Sequence, residues 1–391
     1  MAKQFEYHDY FDLDELLTEE IRIARDSVRE WVQHEISPTI EAHAMEGTFD
    51  KNWFRQLGEL GCFGPSLPVE SGGQGMTETG YGVIMRELER GDSSIRSMAS
   101  VQGSLVMYPI AAFGSEDQKK QWLPRLGQGE KIGCFGLTEP DHGSDPGSME
   151  TRLTRQGDGY LLSGQKMWIT SASLADVGII WARLDEKKIQ GVLLDMKAPG
   201  VRVEDIGGKW SLRASATGVI YMDEVYIEEK DFLPGAKGLR AAFQCLNKAR
   251  YGIAWGAIGA AMDCFDTAVR YSKERHQFGK PLGEFQLVQK KLAEMLTDIS
   301  AAQLMASRVG QLADTEQVTS SQISMAKRHN VQIALRTART ARDILGAIGI
   351  TNDYPVMRHM MNLETVSTYE GTHDIHLLIT GQDITGLGAF K

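Results

Sequence analysis

The run Thr368-Tyr369-Glu370-Gly371-Thr372 sets one carboxylate between an aromatic ring and a glycine, near the end of a long helical stretch. A carboxylate so placed is a candidate general base. The glycine permits a backbone turn that other residues resist, and the tyrosine shields the acid from water, which raises a carboxyl pKa toward working pH. A solvated helix end is the competing reading of the same five residues. Two further segments carry chemistry. Gly133-Cys134-Phe135-Gly136-Leu137-Thr138-Glu139-Pro140-Asp141-His142-Gly143-Ser144-Asp145 is rich in glycines and hydroxyls and has no lysine or arginine. Such a loop offers main-chain N–H groups and hydroxyls to a planar cofactor and its phosphates. Its glycine spacing is neither a P-loop nor a dinucleotide element, and a plain domain linker would look the same. Met167-Trp168-Ile169-Thr170 pairs an indole with a hydroxyl at a strand end, suited to covering a flat ring, although tryptophans serve more often in cores. His373 and His376 flank Asp374 with metal-like spacing, but no second cluster completes a ligand set, so no metal is expected.

The elements that must position these residues divide the 391-residue chain in three, a length that calls for two or three domains. From about residue 12 to 130 the period is helical: Ile21, Ala24, Val28 and Trp31 share one stripe, Pro38 ends that segment, and the stretch 64–75 reads as a loop. Between 131 and 236 short β-rich runs alternate with turns. They are 160–162, 166–170, 177–182, 191–194 and 219–221, with Asp158-Gly159, Pro199-Gly200 and Pro234-Gly235 as turn signals. After 237 the helical period returns, with Ile258, Met262, Phe265 and Val269 on one stripe and Phe285, Val288, Leu292, Met295 and Ile299 on another, joined through the Gly279-Lys280-Pro281 break. The expected fold is α+β, with a helical domain over 1–130, a β domain over 131–236 and a helical bundle over 237–391.

Composition narrows the function. With 42% hydrophobic and 24% charged residues the chain is an ordinary globular protein, and a net charge of -10 repels phosphate backbones, which argues against nucleic acid as the main partner. Cys62, Cys134, Cys245 and Cys264 form no CxxC pair and read as reduced, buried thiols. No apolar run is long enough to span a bilayer, and Met1-Ala2-Lys3-Gln4-Phe5-Glu6 lacks a signal-peptide core, so a cytoplasmic enzyme without membrane insertion is expected.

In their order and placement, Phe135 to Ser144, Trp168 to Thr170, Arg275-His276-Gln277-Phe278-Gly279-Lys280-Pro281 and Tyr369-Glu370-Gly371-Thr372 resemble the acyl-CoA dehydrogenase family over nearly the whole chain. The resemblance implies a C-terminal four-helix bundle and FAD lying between it and the β domain. It assigns flavin contacts to Phe135, Leu137, Thr138, Gly143 and Ser144, to Trp168, Ile169 and Thr170 beside the ring, and to Thr372 and Asp374. Thr170 would hydrogen-bond flavin N5, the hydride acceptor. Arg275, Phe278 and Gln286, with the Asp343 to Ala347 turn including Gly346, would reach the FAD of a neighbouring subunit in a homotetramer. Glu370 would remove the α-proton, and electrons would leave through an electron-transfer flavoprotein.

Three stretches, 87–97, 211–218 and 246–256, resemble the branch of the family that acts on glutaryl-CoA. In that branch the residues matching Arg96 and Ser97 hold the substrate's free carboxylate, and the residue matching Glu89 orients the arginine. A buried guanidinium would gain nothing from a plain acyl chain, whereas a diacid offsets its burial. Absent the resemblance, Arg96 would read as a cation on a wet helix face paired with Glu89 or Asp92. Asn247 and Arg250 would line the CoA and thioester arm, with Gly371 beside the substrate, and Ser144 and Tyr369 would also bind it. The implied reaction is oxidation of glutaryl-CoA and decarboxylation to crotonyl-CoA and CO2, in lysine, tryptophan or benzoyl breakdown. Dehydrogenation of short or branched monocarboxylic acyl-CoAs, or of glutaryl-CoA without decarboxylation, is the alternative within this chemistry. From another class, a catalytically silent scaffold or nucleic-acid-associated relative would call for a basic surface or a replaced base, and the acidic balance and the presence of Glu370 both speak against it.

Overall fold

The computed structural model describes residues 9–184 and 188–390; the Met1 to Glu6 segment lies outside the described residues. The first third is helical, with α1 Glu19–Trp31, α2 Ile40–Glu46, α3 Asn52–Glu59, α4 Glu78–Gly91, α5 Ser93–Ser100, α6 Tyr108–Phe113 and α7 Glu116–Gly127. Thr18 caps α1 by accepting from the Ile21 N–H. Ile21 and Val28 are buried on its stripe, while Ala24 and Trp31 are half-buried. Helix α4 is buried from Gly80 to its end. Asp92 then caps α5 through the Ser94 N–H at 2.6 Å, and α5 runs into a π-helical segment, Val101–Met107, before α6.

The middle third forms an eight-stranded sheet from β1 Gly133–Gly136, β2 Arg152–Gln156, β3 Gly159–Thr170, β4 Val177–Arg183, β5 Ile189–Asp195, β6 Val201–Asp205, β7 Thr217–Ile227 and β8 Phe232–Lys237. The strand order is β6-β7-β3-β2-β4-β5-β8, with β1 parallel to β4. The runs 160–162 and 166–170 join into the single strand β3. Its pairing with β7 slips between Lys166 and Ile169, which marks a bulge at Met167 and Trp168. Two turn expectations need correction. The β2–β3 hairpin turns on Gly157-Asp158, not Asp158-Gly159, because Gly157 takes the positive φ (59°) that the turn requires. Pro234-Gly235 lies inside β8, not in a turn. As an edge strand, β8 tolerates proline because the missing N–H costs no ladder bond.

The last third contains α8 Leu239–Glu274, a two-strand hairpin of β9 His276–Gln277 and β10 Lys280–Pro281, then α9 Gln286–Asp314, α10 Ser320–Leu345, α11 Val356–Thr368 and α12 His373–Thr385. Helix α8 carries Ile258, Met262, Phe265 and Val269 buried in its middle and packs against α4, α9 and α10. On α9 the stripe is buried from Met295 onward and only half-buried before it. Among the side chains that join the first two thirds, Gln102, fully buried, donates to the carbonyls of Leu126 and Lys131 at 3.0 and 2.7 Å and accepts from the Gly133 N–H at 2.9 Å. That bridge fixes the start of β1, and with it the loop after β1, against the helix that follows Arg96.

Candidate active site

Glu370 lies in the short link between α11 and α12, where Thr372 caps α12 by accepting from the Ile375 N–H. Its φ is 54°, a left-handed conformation that costs a residue other than glycine roughly 1–3 kcal/mol and persists only where surroundings hold it. Three successive carbonyls show what holds it. Lys327 Nζ donates to the carbonyls of Tyr369 at 3.0 Å and Gly371 at 2.9 Å, and Arg250 Nε donates to that of Glu370 at 2.7 Å. Gly371 also has positive φ (98°), and a Cβ there would come within 2.9 Å of His376 Nε2, so both its conformation and its space demand glycine.

One side of this turn leads to Arg96. Its guanidinium has no solvent exposure; Nε donates to Glu89 Oε2 at 2.6 Å, and Nη2 donates to the Tyr369 hydroxyl. The second Glu89 oxygen accepts from Ser93 at 2.8 Å. Arg96 is therefore not the wet helix-face cation of the bland reading. Gly256 on α8 makes room for the pair, because a Cβ at that position would lie 2.1 Å from Glu89 Oε2. In this cluster Arg96 Nη1 and Glu370 Oε2 are buried without a hydrogen-bond partner. Buried charged groups left unpaired in this way cost stability unless a ligand satisfies them.

Glu370 is half-buried as a residue, but its Oε2 sees no solvent. Burial pushes its carboxyl pKa up to about 7, against the opposing pull of Arg96, Lys327 and Arg250. Burial likewise pushes the Lys327 ammonium down to about 7 and the neighbouring His376 imidazole down to about 3. A carboxylate that gains its charge near neutrality, with a cation's free N–H in the same cluster, suits abstraction of a weakly acidic proton from a substrate that also carries an anion.

The loop after β1 and the end of β3 form a second surface. Lys166, fully buried, donates to the Leu137 carbonyl at 3.1 Å and to Glu139 Oε1 at 2.8 Å, while Glu139 also accepts from the N–H groups of Glu150 and Thr151. The Met167 N–H donates to the Thr138 carbonyl at 2.9 Å, which ties the loop to β3 beside the bulge. There Trp168, with φ 63°, is turned outward and 55% exposed. Thr138 and Thr170 are half-buried, Gly143 and Ser144 are exposed, and nothing lies within 4 Å of where a Cβ on Gly143 would point. An outward indole, hydroxyls at two strand ends and an open glycine loop fit a flat, hydrogen-bonding group with a phosphate tail. Phe135, Leu137 and Ile169 are buried in the cores, which leaves their main chains for any such contact.

Other residues singled out in the sequence fall elsewhere. Ser97 is buried on α5. Asn247 accepts from Arg250 Nη1 at 3.2 Å and donates to Ser320 at 2.9 Å, so Arg250 faces the Glu370 backbone on one side and Asn247 on the other. Arg275 at the end of α8, Phe278 on the hairpin and Gln286 at the start of α9 are all exposed. Phe278 is 91% exposed at φ 52° in the β9–β10 turn. Asp343 pairs with Lys291, and Gly346 and Ala347 are exposed just after α10. Asp374 is exposed on the first turn of α12. Sequence reasoning missed Lys327 and Gly256. The signal for Lys327 was a charge in the buried phase of α10, where Ile323, Lys327, Asn330 and Ala334 recur at helical steps.

The matches to known proteins follow the same division. The N-terminal, middle and C-terminal domain models of acyl-CoA dehydrogenase match residues 18–130, 134–225 and 236–385. The chain belongs to the acyl-CoA dehydrogenase family and is an FAD-dependent acyl-CoA dehydrogenase. Among solved structures it is similar to glutaryl-CoA dehydrogenase from Mycobacterium smegmatis, with 49% identity, a TM-score of 0.95 and coverage of 97% of this chain and 98% of that one. A glutaryl-CoA dehydrogenase from the same organism in complex with FADH2 matches at 44% identity and a TM-score of 0.96, over 97% and 98% of the two chains. A curated relative, the mitochondrial short-chain specific acyl-CoA dehydrogenase of Rattus norvegicus, is 33% identical over 93% of this chain and 89% of its own length.

Proposed function

We propose that this enzyme oxidises glutaryl-CoA and decarboxylates the product to crotonyl-CoA and CO2, with Glu370 as the base. The observation that carries the reading is the buried Arg96, which spends Nε on Glu89 and Nη2 on Tyr369 and keeps Nη1 without a partner. A carboxylate at the far end of a substrate would complete that guanidinium with charge-assisted bonds. Tyr369, adjacent to Glu370 in the chain, links the tail-binding arginine to the base. A thioester with a second carboxylate at its far end meets both groups.

Glu370 takes the α-proton. Its pKa near 7 makes it a far stronger base than an ordinary glutamate while leaving it substantially ionised at neutral pH. FAD, when bound, supplies the two-electron oxidation at the β-carbon. Thr138, Gly143, Ser144, Trp168 and Thr170, with the main chains of Phe135, Leu137 and Ile169 and with Thr372 and Asp374, are the residues that would hold it. Oxidation makes the distal carboxylate vinylogous to the thioester, so the bond to CO2 breaks and its electron pair passes into the substrate. Protonated Glu370 returns its proton to the resulting dienolate, and the base is restored.

Three further parts of the proposal rest on the family resemblance. Electrons pass to an electron-transfer flavoprotein. The chain works as a homotetramer in which Arg275, Phe278, Gln286, Asp343, Gly346 and Ala347 reach a neighbouring copy's flavin, a role compatible with a phenylalanine exposed on a hairpin tip. The working units are 1–130, 131–236 and 237–391, in the cytoplasm. Among the described residues no helix is long and apolar enough to cross a membrane.

Incubation with glutaryl-CoA and an artificial electron acceptor tests the function. Crotonyl-CoA and CO2 in equal amounts are expected. Accumulation of glutaconyl-CoA would leave a non-decarboxylating dehydrogenase. The similarity to the rat short-chain enzyme favours a second reading, a monocarboxylic substrate, and turnover of butyryl-CoA in preference to glutaryl-CoA would establish it.

A further inference from the structure

We propose that Lys327 is a positioning residue for the base: from α10 its ammonium ties together the carbonyls on either side of Glu370 and holds the carboxylate in its left-handed turn. The inference rests on Glu370 being the base. Lys327 is 1% exposed, on the stripe of α10 that also buries Ile323, Asn330 and Ala334. An apolar side chain of similar length would fill that space without the expense of burying a charge. Nor is the lysine there to close an ion pair, since no carboxylate oxygen among the described residues lies within 4 Å of Nζ. Its two bonds go to the Tyr369 and Gly371 carbonyls, one before and one after the residue whose conformation is strained.

Charged and titratable groups face Lys327 from each neighbouring element. Glu370 and Tyr369 face it from the link between α11 and α12, Arg250 from α8, Glu89 from α4, Arg96 from α5 and His376 from α12. Burial pushes the ammonium down to about 7, Glu370 supports its charge, and Arg250 and Arg96 oppose it. The lysine thus has two separable effects on the base. Its hydrogen bonds set where the carboxylate points, and its charge favours the ionised carboxylate.

Lys327→Met, Lys327→Gln and Lys327→Arg, each purified with FAD bound, separate these effects in assays with glutaryl-CoA across pH. Lys327→Met is expected to lower kcat about 100-fold with KM changed less than about 3-fold, and to raise the acid limb of kcat/KM by about one pH unit. Lys327→Gln keeps donors and loses charge, so it should shift the limb equally while losing less kcat. Lys327→Arg keeps the charge and the limb, but its planar fork cannot reproduce the tetrahedral pair of bonds, so kcat falls. Flavin-loaded neutral variants with wild-type kcat and an unmoved limb, altered only in melting temperature, would overturn the proposal. Should neither neutral variant load flavin, Lys327→Arg decides, and wild-type kcat there overturns it. Glu370→Gln run alongside keeps the two claims apart. Rapid flavin bleaching by that variant removes the base itself, whereas a silent Glu370→Gln beside wild-type Lys327 variants removes only the lysine's role.

Discussion

Asp92 and Arg96 stand one helical turn apart at the start of α5, and each anchors a buried ionic cluster of a different kind. Around Asp92 the charged groups are matched. Arg358 donates to Glu41 at 2.7 Å, to the Gly91 carbonyl at 3.0 Å and to Asp92, and Asn362 donates to Asp92 at 2.8 Å while accepting from the Leu212 N–H at 2.8 Å. No buried polar atom of Arg358 or Asp92 lacks a partner, and although burial opposes its charge, Glu41 and Asp92 drive the Arg358 pKa above the ordinary arginine range. Around Arg96 the same types of residue leave one guanidinium nitrogen and one carboxylate oxygen unpaired, with Glu370 raised and Lys327 lowered to about 7. A matched cluster fastens α2, α5, α11 and the loop before β7 together. An unmatched one leaves a donor and an acceptor open to a ligand.

If that contrast is correct, damage to the two clusters should appear in different measurements. Arg358→Met leaves Asp92 and Glu41 without their cation and is expected to cost about 3–5 kcal/mol of stability, visible as a large drop in Tm. The flavin-loaded protein that remains should keep its preference between glutaryl-CoA and butyryl-CoA. A lost preference with unchanged Tm would erase the distinction. Gly256→Ala brings a methyl against Glu89 Oε2, and overpacking of this kind costs about 1–3 kcal/mol. Because the displaced group orients Arg96, glutaryl-CoA turnover should fall more than butyryl-CoA turnover, and equal losses would mean that the glycine serves packing alone. The smallest effect is in pH. The carboxylate is the competent form and exists above the pKa, so kcat/KM should rise through about pH 7 and fall about tenfold per unit on the acid side. An acid limb near 4 to 5 would show that Glu370 is not desolvated in the free enzyme.

Much of this molecule is legible in its residues. Apolar spacing located α1 and α8 because a helix buries residues three and four apart, and β-rich runs located the sheet. The boundaries were less legible: the two runs of β3 are one strand because a register shift between Leu162 and Gly164 interrupts the pattern without ending the pairing, and Pro234 marked an edge strand because a strand edge needs no donor there. Within the site, Glu370 was visible from its flanking tyrosine and glycine. The burial of Arg96 was not, since an arginine near Glu89 and Asp92 looks solvated until Gly256 of α8, distant in sequence, is seen to make room. Lys327 escaped for a related reason. Its partners are backbone carbonyls, which no pattern of side chains reveals.

The most direct test of the unmatched cluster is the ratio of kcat/KM for glutaryl-CoA to that for butyryl-CoA, measured in the wild-type enzyme and in Arg96→Met with FAD bound. Loss of charge-assisted bonds to the substrate's tail predicts a ratio lower by about 100-fold or more, with flavin content unchanged. An unchanged ratio would contradict the account, because the spare N–H of Arg96 would then have no part in choosing the substrate.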